Sequence, residues 1–294
     1  MDNRNLSVND IRKTYRSALR GLYPADEINS ILYILFEEFL QWPKTRVHLE
    51  PGTVLTDTDS GRFRAALEQL VNGSPVQYIT GKADFNEISL IVNPHVLIPR
   101  PETAELASVI VQKLKTIDLS GFRVMDIGTG SGCLAIYIKK HCRGISVHAM
   151  DNSEKALAVA RSNAVLFKAG IKFSLEDILH SSLALSNPSY NLIVSNPPYV
   201  TTKEKQLMMK NVKDFEPPAA LFVTDDDPLL YYRAIARYSK VRLIHGGLLY
   251  LEINEFFGRE VTELLDLNGF AGLELLKDFR GRDRFVKADF IGCS

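Results

Sequence analysis

The chain has 294 residues, 46% of them hydrophobic and 24% charged, with 35 Lys and Arg against 35 Asp and Glu. This length and composition suit a globular protein of one large domain or two unequal ones. A net charge of zero argues against non-specific binding to nucleic acid, which favours a basic excess. We expect no membrane span, because no apolar run is long enough, and no signal peptide, because Met1–Asn5 leads into no apolar segment.

Cysteine and histidine positions argue against a disulfide framework and a metal site. Cys133, Cys142 and Cys293 form no C-x-x-C pair, and the six histidines show no helical i, i+4 pair. A cytoplasmic protein with reduced thiols and no bound metal is therefore expected.

Residues 1–74 predict a small helical bundle. Apolar residues recur at helical spacing in three segments, Val8–Leu19, Asp26–Leu40 and Gly61–Val71. Ser7 is a suitable N-cap for the first helix. Trp42, Pro43 and Pro51 lie in residues 41–60, which we predict to be loop.

Residues 75–101 predict a connector that contains a β-hairpin. Pro75 marks the boundary, and the alternation around Phe85 and Ile88–Val92 is typical of paired strands.

Residues 102–294 predict a doubly wound α/β domain. Strands are expected at Val124–Ile127, Ile145–Met150, Ile171–Leu175, Asn191–Ser195 and Leu248–Ile253, with two more near Leu273 and Arg284–Val286. Helices are expected at Glu102–Lys115, up to Lys140 after the first strand, at Ser153–Phe167, Pro228–Val241 and Phe257–Leu267. Alternation at this spacing favours a mostly parallel sheet covered by helices on both faces.

A glycine-rich turn follows the first of these strands. Its sequence is Asp126-Ile127-Gly128-Thr129-Gly130-Ser131-Gly132, and glycines let the backbone turn sharply and approach a ligand. The spacing differs from the G-x-G-x-x-G of dinucleotide enzymes. Asp126 would repel a pyrophosphate, whereas a cofactor that carries an ammonium and a sulfonium favours a nearby carboxylate.

Two further acids are expected beside the same cofactor. Asp151 ends the second strand, where an acid can accept both hydroxyls of a ribose; it could instead cap the next helix, although Ser153 is available for that role. Asp177 follows the third strand and could accept from an adenine amino group or cap a helix, and Ile178 could pack on the ring. S-adenosylmethionine is the cofactor that fits these positions.

Asn196-Pro197-Pro198-Tyr199 follows the buried strand that ends at Ser195. Two prolines remove backbone donors, the Asn offers an amide oxygen, and the Tyr offers a flat wall. This set suits binding of a planar NH₂ group, either an amide or an exocyclic amine. An ordinary Asn-Pro turn is the simpler interpretation.

These motifs together resemble the peptide chain release factor glutamine methyltransferases. The resemblance covers nearly the whole chain and includes Pro75–Gly81, Val96–Thr103, Phe215-Glu216-Pro217, and Asp278 with Gly281 and Arg284. Ile98-Pro99-Arg100-Pro101-Glu102-Thr103 is the most specific string, because enzymes that methylate adenine N6 share the Asn-Pro-Pro-Tyr loop.

The resemblance implies the fold, the reaction and the residues of the site. The fold would be a class I S-adenosylmethionine-dependent methyltransferase with a seven-stranded sheet, an antiparallel edge strand and an N-terminal helical substrate-docking domain. The enzyme would act as a monomer on the glutamine of the Gly-Gly-Gln motif of class I release factors. Cofactor contacts would come from Asp126, Gly128, Thr129, Gly130, Ser131, Gly132, Asp151, Asp177, Ile178 and Asn196. Asn196, Pro197 and Tyr199 would be catalytic, with Pro198 and Arg100 completing the substrate contacts. Family members often carry Trp where this chain has Ile178.

Two other functions would use all or part of these motifs. An adenine-N6 methyltransferase of DNA or RNA would need a basic groove, yet residues 1–80 hold nine Lys and Arg against ten Asp and Glu. Arg12, Arg16 and Arg20 recur at i, i+4 spacing, as a solvated helix face or as a docking edge for an acidic partner. A regulatory protein that only binds S-adenosylmethionine would not need the Asn196–Tyr199 loop.

Overall fold

The computed structural model describes residues 5–181, 189–208 and 210–292, which form two compact units. The first unit comprises the described parts of Met1–Gly81 and Met209–Phe215. The second comprises the described parts of Lys82–Met208 and Glu216–Ser294. Cys293 lies outside the described residues, whereas Cys133 and Cys142 are free, buried thiols.

The elements alternate along the second unit as the sequence predicts. The helices are α1 (Val8–Ala18), α2 (Ala25–Leu40), α3 (Lys44–Leu49), α4 (Asp57–Val71), α5 (Val76–Thr80), α6 (Pro101–Leu114), α7 (Cys133–His141), α8 (Glu154–Leu166), α9 (Lys210–Lys213), α10 (Leu230–Arg242) and α11 (Gly258–Asp266). The strands are β1 (Lys82–Phe85), β2 (Ile88–Ile91), β3 (Arg123–Ile127), β4 (Ser146–Asp151), β5 (Ile171–Leu175), β6 (Tyr190–Ser195), β7 (Val200–Thr201), β8 (Phe222–Val223), β9 (Leu243–Glu252), β10 (Phe270–Lys277) and β11 (Asp283–Phe290).

The first unit is a helical bundle with its own apolar core. Ser7 caps α1, since its hydroxyl accepts from the Asp10 N–H and the Asp10 carboxylate accepts from the Ser7 N–H. Tyr15 is buried among the helices and donates its hydroxyl to the Phe63 carbonyl at 2.7 Å. The prediction of an uninterrupted loop over residues 41–60 is wrong, because α3 lies within it and begins after Pro43.

A seven-stranded sheet organises the second unit, in the order β10-β11-β9-β6-β3-β4-β5. The pairs β9–β6, β6–β3, β3–β4 and β4–β5 are parallel, whereas β11 is antiparallel to both of its neighbours. The predicted fold class is confirmed with one correction. The antiparallel strand is β11, one position in from the edge, because the β10–β11 hairpin inserts β11 next to β9 and leaves β10 outermost.

Helices cover both faces of this sheet. On one face, α6 and α7 bury Leu106 and Ile136 against residues such as Val124 of β3. On the other face, α10 and α11 bury Ile235 against neighbours that include Met125. Alternate residues of β3 therefore enter opposite cores, as expected for a central parallel strand.

Two details of the second unit differ from the prediction. Strand β9 begins at Leu243 rather than Leu248, with a register irregularity against β6 between Tyr190 and Leu192. The short parallel pair β7–β8 has no signal in the sequence, because two-residue strands show no periodicity. Across the described ranges, no helix combines the length and the apolarity that crossing a bilayer requires.

Candidate active site

A cavity of about 900 Å³, counting its solvent-open part, lies at the carboxyl ends of β3, β4 and β6. The chain runs from β3 outward through β4 to β5 and then returns to β6 on the other side of β3. A reversal of this kind leaves a crevice at the carboxyl ends of the strands, where doubly wound proteins bind ligands.

The glycine-rich turn forms one wall of the cavity. Gly128 and Gly130 line it, and both have positive φ, 71° and 56°. The Gly128 N–H donates to the Met150 carbonyl at 2.9 Å, which fixes the turn to the end of β4. Gly132 is the N-cap of α7 with φ of 84°, and a Cβ there would lie 3.0 Å from Ile136 Cδ1. The glycines therefore serve both ligand approach and packing.

Asp151 lines the cavity at the end of β4, and backbone N–H groups hold its carboxylate. Oδ2 accepts from Gly130 N at 2.9 Å, and Oδ1 accepts from Ser153 N at 2.9 Å. Burial nevertheless raises the pKa of Asp151, although these bonds oppose the shift. Ser153, not Asp151, is the N-cap of α8, so the carboxylate is available to a ligand.

Asp126 lies beneath the turn rather than in the cavity wall. It is buried, and Oδ2 accepts from the Thr129 hydroxyl at 2.6 Å. Burial raises the pKa of Asp126 to about 7, against the Thr129 bond, and the charge of Asp151 adds to the rise. Thr129 and Ser131 are buried with it, so these three side chains support the turn.

Asp177 and Ile178 line the side of the cavity beyond β5. Asp177 Oδ1 accepts from Leu179 N at 2.9 Å, and Oδ2 lies 3.0 Å from His180 Nδ1. Residues 178–180 form a turn and not a helix, so Asp177 caps a turn. Ile178 is partly buried against the core that contains Met150.

Asn196, Pro197 and Pro198 follow β6 directly and form another part of the cavity wall. The Ser195 hydroxyl donates to the Ile127 carbonyl at 2.8 Å and so ties the ends of β6 and β3 together. Asn196 Nδ2 donates to Thr103 Oγ1 at 3.0 Å. Within the described part of the chain, no donor reaches Asn196 Oδ1 or the Pro197 carbonyl. Both oxygens can therefore accept from a ligand.

Tyr199 does not line the cavity. Its hydroxyl donates to Glu252 Oε1 at 2.9 Å, and the other oxygen, Oε2, accepts from the Thr103 hydroxyl at 2.7 Å. Glu252 is fully buried, and burial raises its pKa to about 7. The hydrogen bonds of Asn196, through Thr103, and of Tyr199 thus lead to one carboxylate, that of Glu252. The sequence did not indicate Glu252 as a site residue.

Arg100 also has a protein partner instead of lining the cavity. Its Nη2 lies 2.6 Å from Glu216 Oε1, and Glu216 Oε2 accepts from Ile98 N at 3.0 Å. Glu216 is buried, so the pair joins two chain segments firmly. These segments continue into the cavity wall as His95–Leu97 and Pro217, Ala219 and Ala220. The predicted motifs contain some of these wall residues, but their chemistry is apolar and gave no signal of its own.

The composition of the wall favours a cationic ligand with an adenosine-like apolar part. Asp151, Glu176 and Asp177 are acidic, and no Lys or Arg belongs to the wall among the described residues. Apolar surface comes from Ile178, Leu97 and neighbouring side chains. A pyrophosphate would meet uncompensated negative charge here, whereas a sulfonium with an ammonium group would not. The residues present therefore fit S-adenosylmethionine.

Comparisons with known proteins agree with this geometry. The family "Methyltransferase small domain" matches residues 104–218, and the family "PrmC N-terminal domain" matches residues 10–81. The release factor glutamine methyltransferase of Flavobacterium psychrophilum is 40% identical over 284 residues, 96% of this chain and 99% of its own length. This chain belongs to the release factor glutamine methyltransferase family. The member from Bacteroides thetaiotaomicron is 38% identical over 96% of this chain and all of its own length.

A solved methyltransferase from Pyrococcus furiosus has the same fold as this family member. It covers 81% of this chain and 100% of its own length, with a TM-score of 0.50 and 15% identity. At that identity the likeness concerns the fold alone.

Proposed function

We propose that this methyltransferase transfers a methyl group from S-adenosylmethionine to the side-chain amide nitrogen of the glutamine in the Gly-Gly-Gln motif of class I peptide chain release factors. The observation that carries the proposal is the placement of Asn196 and Pro197 in the wall of the cavity that Gly128, Gly130 and Asp151 also line. Cofactor and amide would then meet in one enclosed space.

The cofactor would be held by the turn at Gly128–Gly130, by Asp151 and by Ile178. Asp151 would accept from the ribose hydroxyls, since each of its oxygens has one backbone donor and a second lone pair. Ile178 would pack on the adenine. When bound, S-adenosylmethionine supplies an electrophilic methyl group on a sulfonium.

The amide would be held by two oxygens. An amide nitrogen is a weak nucleophile, because its lone pair is delocalised into the carbonyl. Asn196 Oδ1 and the Pro197 carbonyl each accept one N–H, which orients the nitrogen and stabilises positive charge as it develops there. Positioning would thus supply most of the catalysis, and the proton would leave to water after transfer. Pro198 would shape the wall beside the amide.

The helical unit would dock the release factor. It contains the region that matches the PrmC N-terminal domain, and Arg16 of α1 and Arg20, just beyond the end of α1, are exposed. We propose a monomeric enzyme that acts in the cytoplasm, where release factors are found, without stable binding to nucleic acid.

Transfer of tritium from labelled S-adenosylmethionine tests this function. Three acceptors are compared: a release factor, duplex DNA, and none. Label is expected in the release factor only and should disappear when the glutamine of its Gly-Gly-Gln motif is replaced by Ala. Label in DNA would favour the adenine-N6 alternative, and label that survives Gln→Ala would overturn the proposed target.

A further inference from the structure

Four side chains beside the cavity form one hydrogen-bonded chain that ends at Asn196. Glu252 Oε2 accepts from Thr103 Oγ1 at 2.7 Å, and Thr103 Oγ1 accepts from Asn196 Nδ2 at 3.0 Å. Tyr199 donates to the second oxygen of Glu252 at 2.9 Å. Thr103 and Glu252 are buried and do not line the cavity. They touch neither ligand and can act only through Asn196 and Tyr199.

The direction of these bonds follows from the chemistry of the groups. An ionised carboxylate has no proton and can only accept, so both hydroxyls must donate to it. A threonine hydroxyl has one O–H, and Thr103 donates it in the hydrogen bond to Glu252. Its oxygen can then only accept, which requires Asn196 to turn its NH₂ toward Thr103. The Asn196 Oδ1 is left for the ligand.

We infer that Glu252 is a positioning residue that, through Thr103, fixes the side-chain amide of Asn196 with its oxygen toward the substrate, so that the site selects a group that donates N–H and rejects one that only accepts. The inference rests on the proposed function, because it assumes that Asn196 meets the substrate amide. It adds a reason why a glutamine is preferred to the nearly isosteric glutamate.

Protonation of Glu252 would remove this constraint. Burial raises its pKa to about 7, with the Thr103 and Tyr199 bonds and the Arg284 charge opposing the rise. A protonated carboxyl can donate to Thr103, whose own proton can then turn to Asn196 and favour the reversed amide. The titratable and charged groups around the carboxyl are Arg284, Glu102, Tyr199, Tyr232 and Cys133.

The test compares Glu252→Gln and Thr103→Val with Thr103→Ser in the full-length enzyme. Glu252→Gln copies the shape of the protonated acid, and Thr103→Val keeps the shape but loses the hydroxyl. Both should lower kcat for release factor methylation roughly 10- to 100-fold, by analogy with lost hydrogen bonds to charged groups. Thr103→Ser should retain most activity. Ser239→Ala is the matched control, since it removes a buried hydroxyl with no hydrogen-bond partner in the described residues.

Two readouts separate positioning from a merely structural role. Wild-type enzyme, with S-adenosylhomocysteine present, should bind a release factor carrying Gln more tightly than one carrying Glu, and Glu252→Gln should reduce that ratio. The rate of wild-type enzyme should also fall as pH is lowered through about 7, and this fall should be absent in Glu252→Gln. Unchanged discrimination and an unchanged pH profile in an active Glu252→Gln variant would overturn the inference.

A measurement without substrate distinguishes failure of the inference from failure of the proposed function. In enzyme labelled with ¹⁵N-asparagine, one Asn196 side-chain proton should be protected from solvent exchange. Protection should be lost in Thr103→Val and retained in Ser239→Ala. Wild-type enzyme that methylates no release factor but shows this protection would refute the function and leave the hydrogen-bond direction standing. Equal exchange in all variants would refute the direction itself.

Discussion

The two halves of the cavity are built from different kinds of hydrogen bond. In the half proposed to bind the cofactor, here the cofactor half, which contains Gly128, Gly130 and Asp151, backbone N–H groups hold the carboxylate. In the half proposed to bind the amide, here the amide half, which contains Asn196 with Thr103 and Glu252, side chains hold one another. Both halves use an acid at the end of a parallel strand, yet Asp151 faces the cavity and Glu252 is fully buried.

Because of this difference, the two halves should tolerate substitutions to different degrees. Backbone donors stay in place when a nearby side chain is replaced, so the cofactor half should lose only the contact removed. A series of hydrogen-bonded side chains has a donor-to-acceptor direction, which substitution of any one member can reverse or break. The amide half should therefore respond to substitutions at residues that never touch substrate.

The largest effect is expected from Asn196→Ala. This change removes the oxygen that we propose accepts from the substrate amide, and methyl transfer should fall roughly 10²–10³-fold, as for single oxyanion-hole donors. Cofactor affinity, measured by calorimetry, should change little. Asn191→Ala, at the start of the same strand where Asn191 bonds Arg123 N, is the control. Full transfer activity in Asn196→Ala would refute the catalytic role.

A smaller effect, confined to binding, is expected from Asp151→Asn. The substitution removes a charged acceptor from the proposed ribose site, and the Kd for S-adenosylhomocysteine should rise roughly 10- to 100-fold. Glu154→Gln, which alters an exposed acid paired with Arg161 at the start of α8, should leave the Kd unchanged. Equal affinity in both variants would show that Asp151 is structural.

Glu252→Gln should change how stability depends on pH. The pKa of Glu252 is raised from 4.5 to about 7 in the folded protein, so ionisation favours the unfolded chain. Its stabilising contribution is complete below 4.5 and is lost as pH rises through 7. Relative to wild type, the variant should therefore gain about 2 kcal/mol in unfolding free energy between about pH 5.5 and pH 8. Denaturant unfolding measures this, and a pH-independent difference would contradict the raised pKa.

The smallest effect is expected from Ile178→Trp. An aromatic ring beside the adenine would add stacking of about 0.5–1.5 kcal/mol, and the affinity for S-adenosylmethionine should rise roughly two- to tenfold. Ile178→Leu is the control, because it keeps an aliphatic side chain and should leave the affinity unchanged. Ile235→Trp would not serve as one, because Ile235 is fully buried. A Trp variant that binds no better would argue that adenine lies elsewhere.

The cofactor half could be read from the sequence because its determinants are local. The turn and both backbone donors to Asp151 fall within Gly128–Ser153, and glycine spacing signals the turn directly. The mostly parallel α/β fold followed in the same way from the alternation of strands and helices. The resemblance implied an antiparallel strand at the edge, whereas β11 lies one position further in, since pairing order is not local.

The amide half could be read only in part. Asn196–Pro198 stands out as a motif, but its partners are distant: Thr103 is 93 residues from Asn196, and Glu252 is 149 from Thr103. One sequence gives no sign that a buried acid so far away completes the site. Arg100 was predicted to touch substrate, yet it pairs with Glu216, 116 residues away. One sequence gives no sign of a partner at that distance either.

These separations also order the assembly of the enzyme during synthesis. Both backbone donors to the Asp151 carboxylate, Gly130 N and Ser153 N, are present once the ribosome has added Ser153. The hydrogen-bonded chain from Asn196 through Thr103 is complete only after Glu252 emerges, with β9 inserted between β6 and β11. The hydrogen bonds that hold the Asp151 carboxylate therefore need no residue beyond Ser153, whereas those that hold Asn196 through Thr103 need a residue that is synthesised much later.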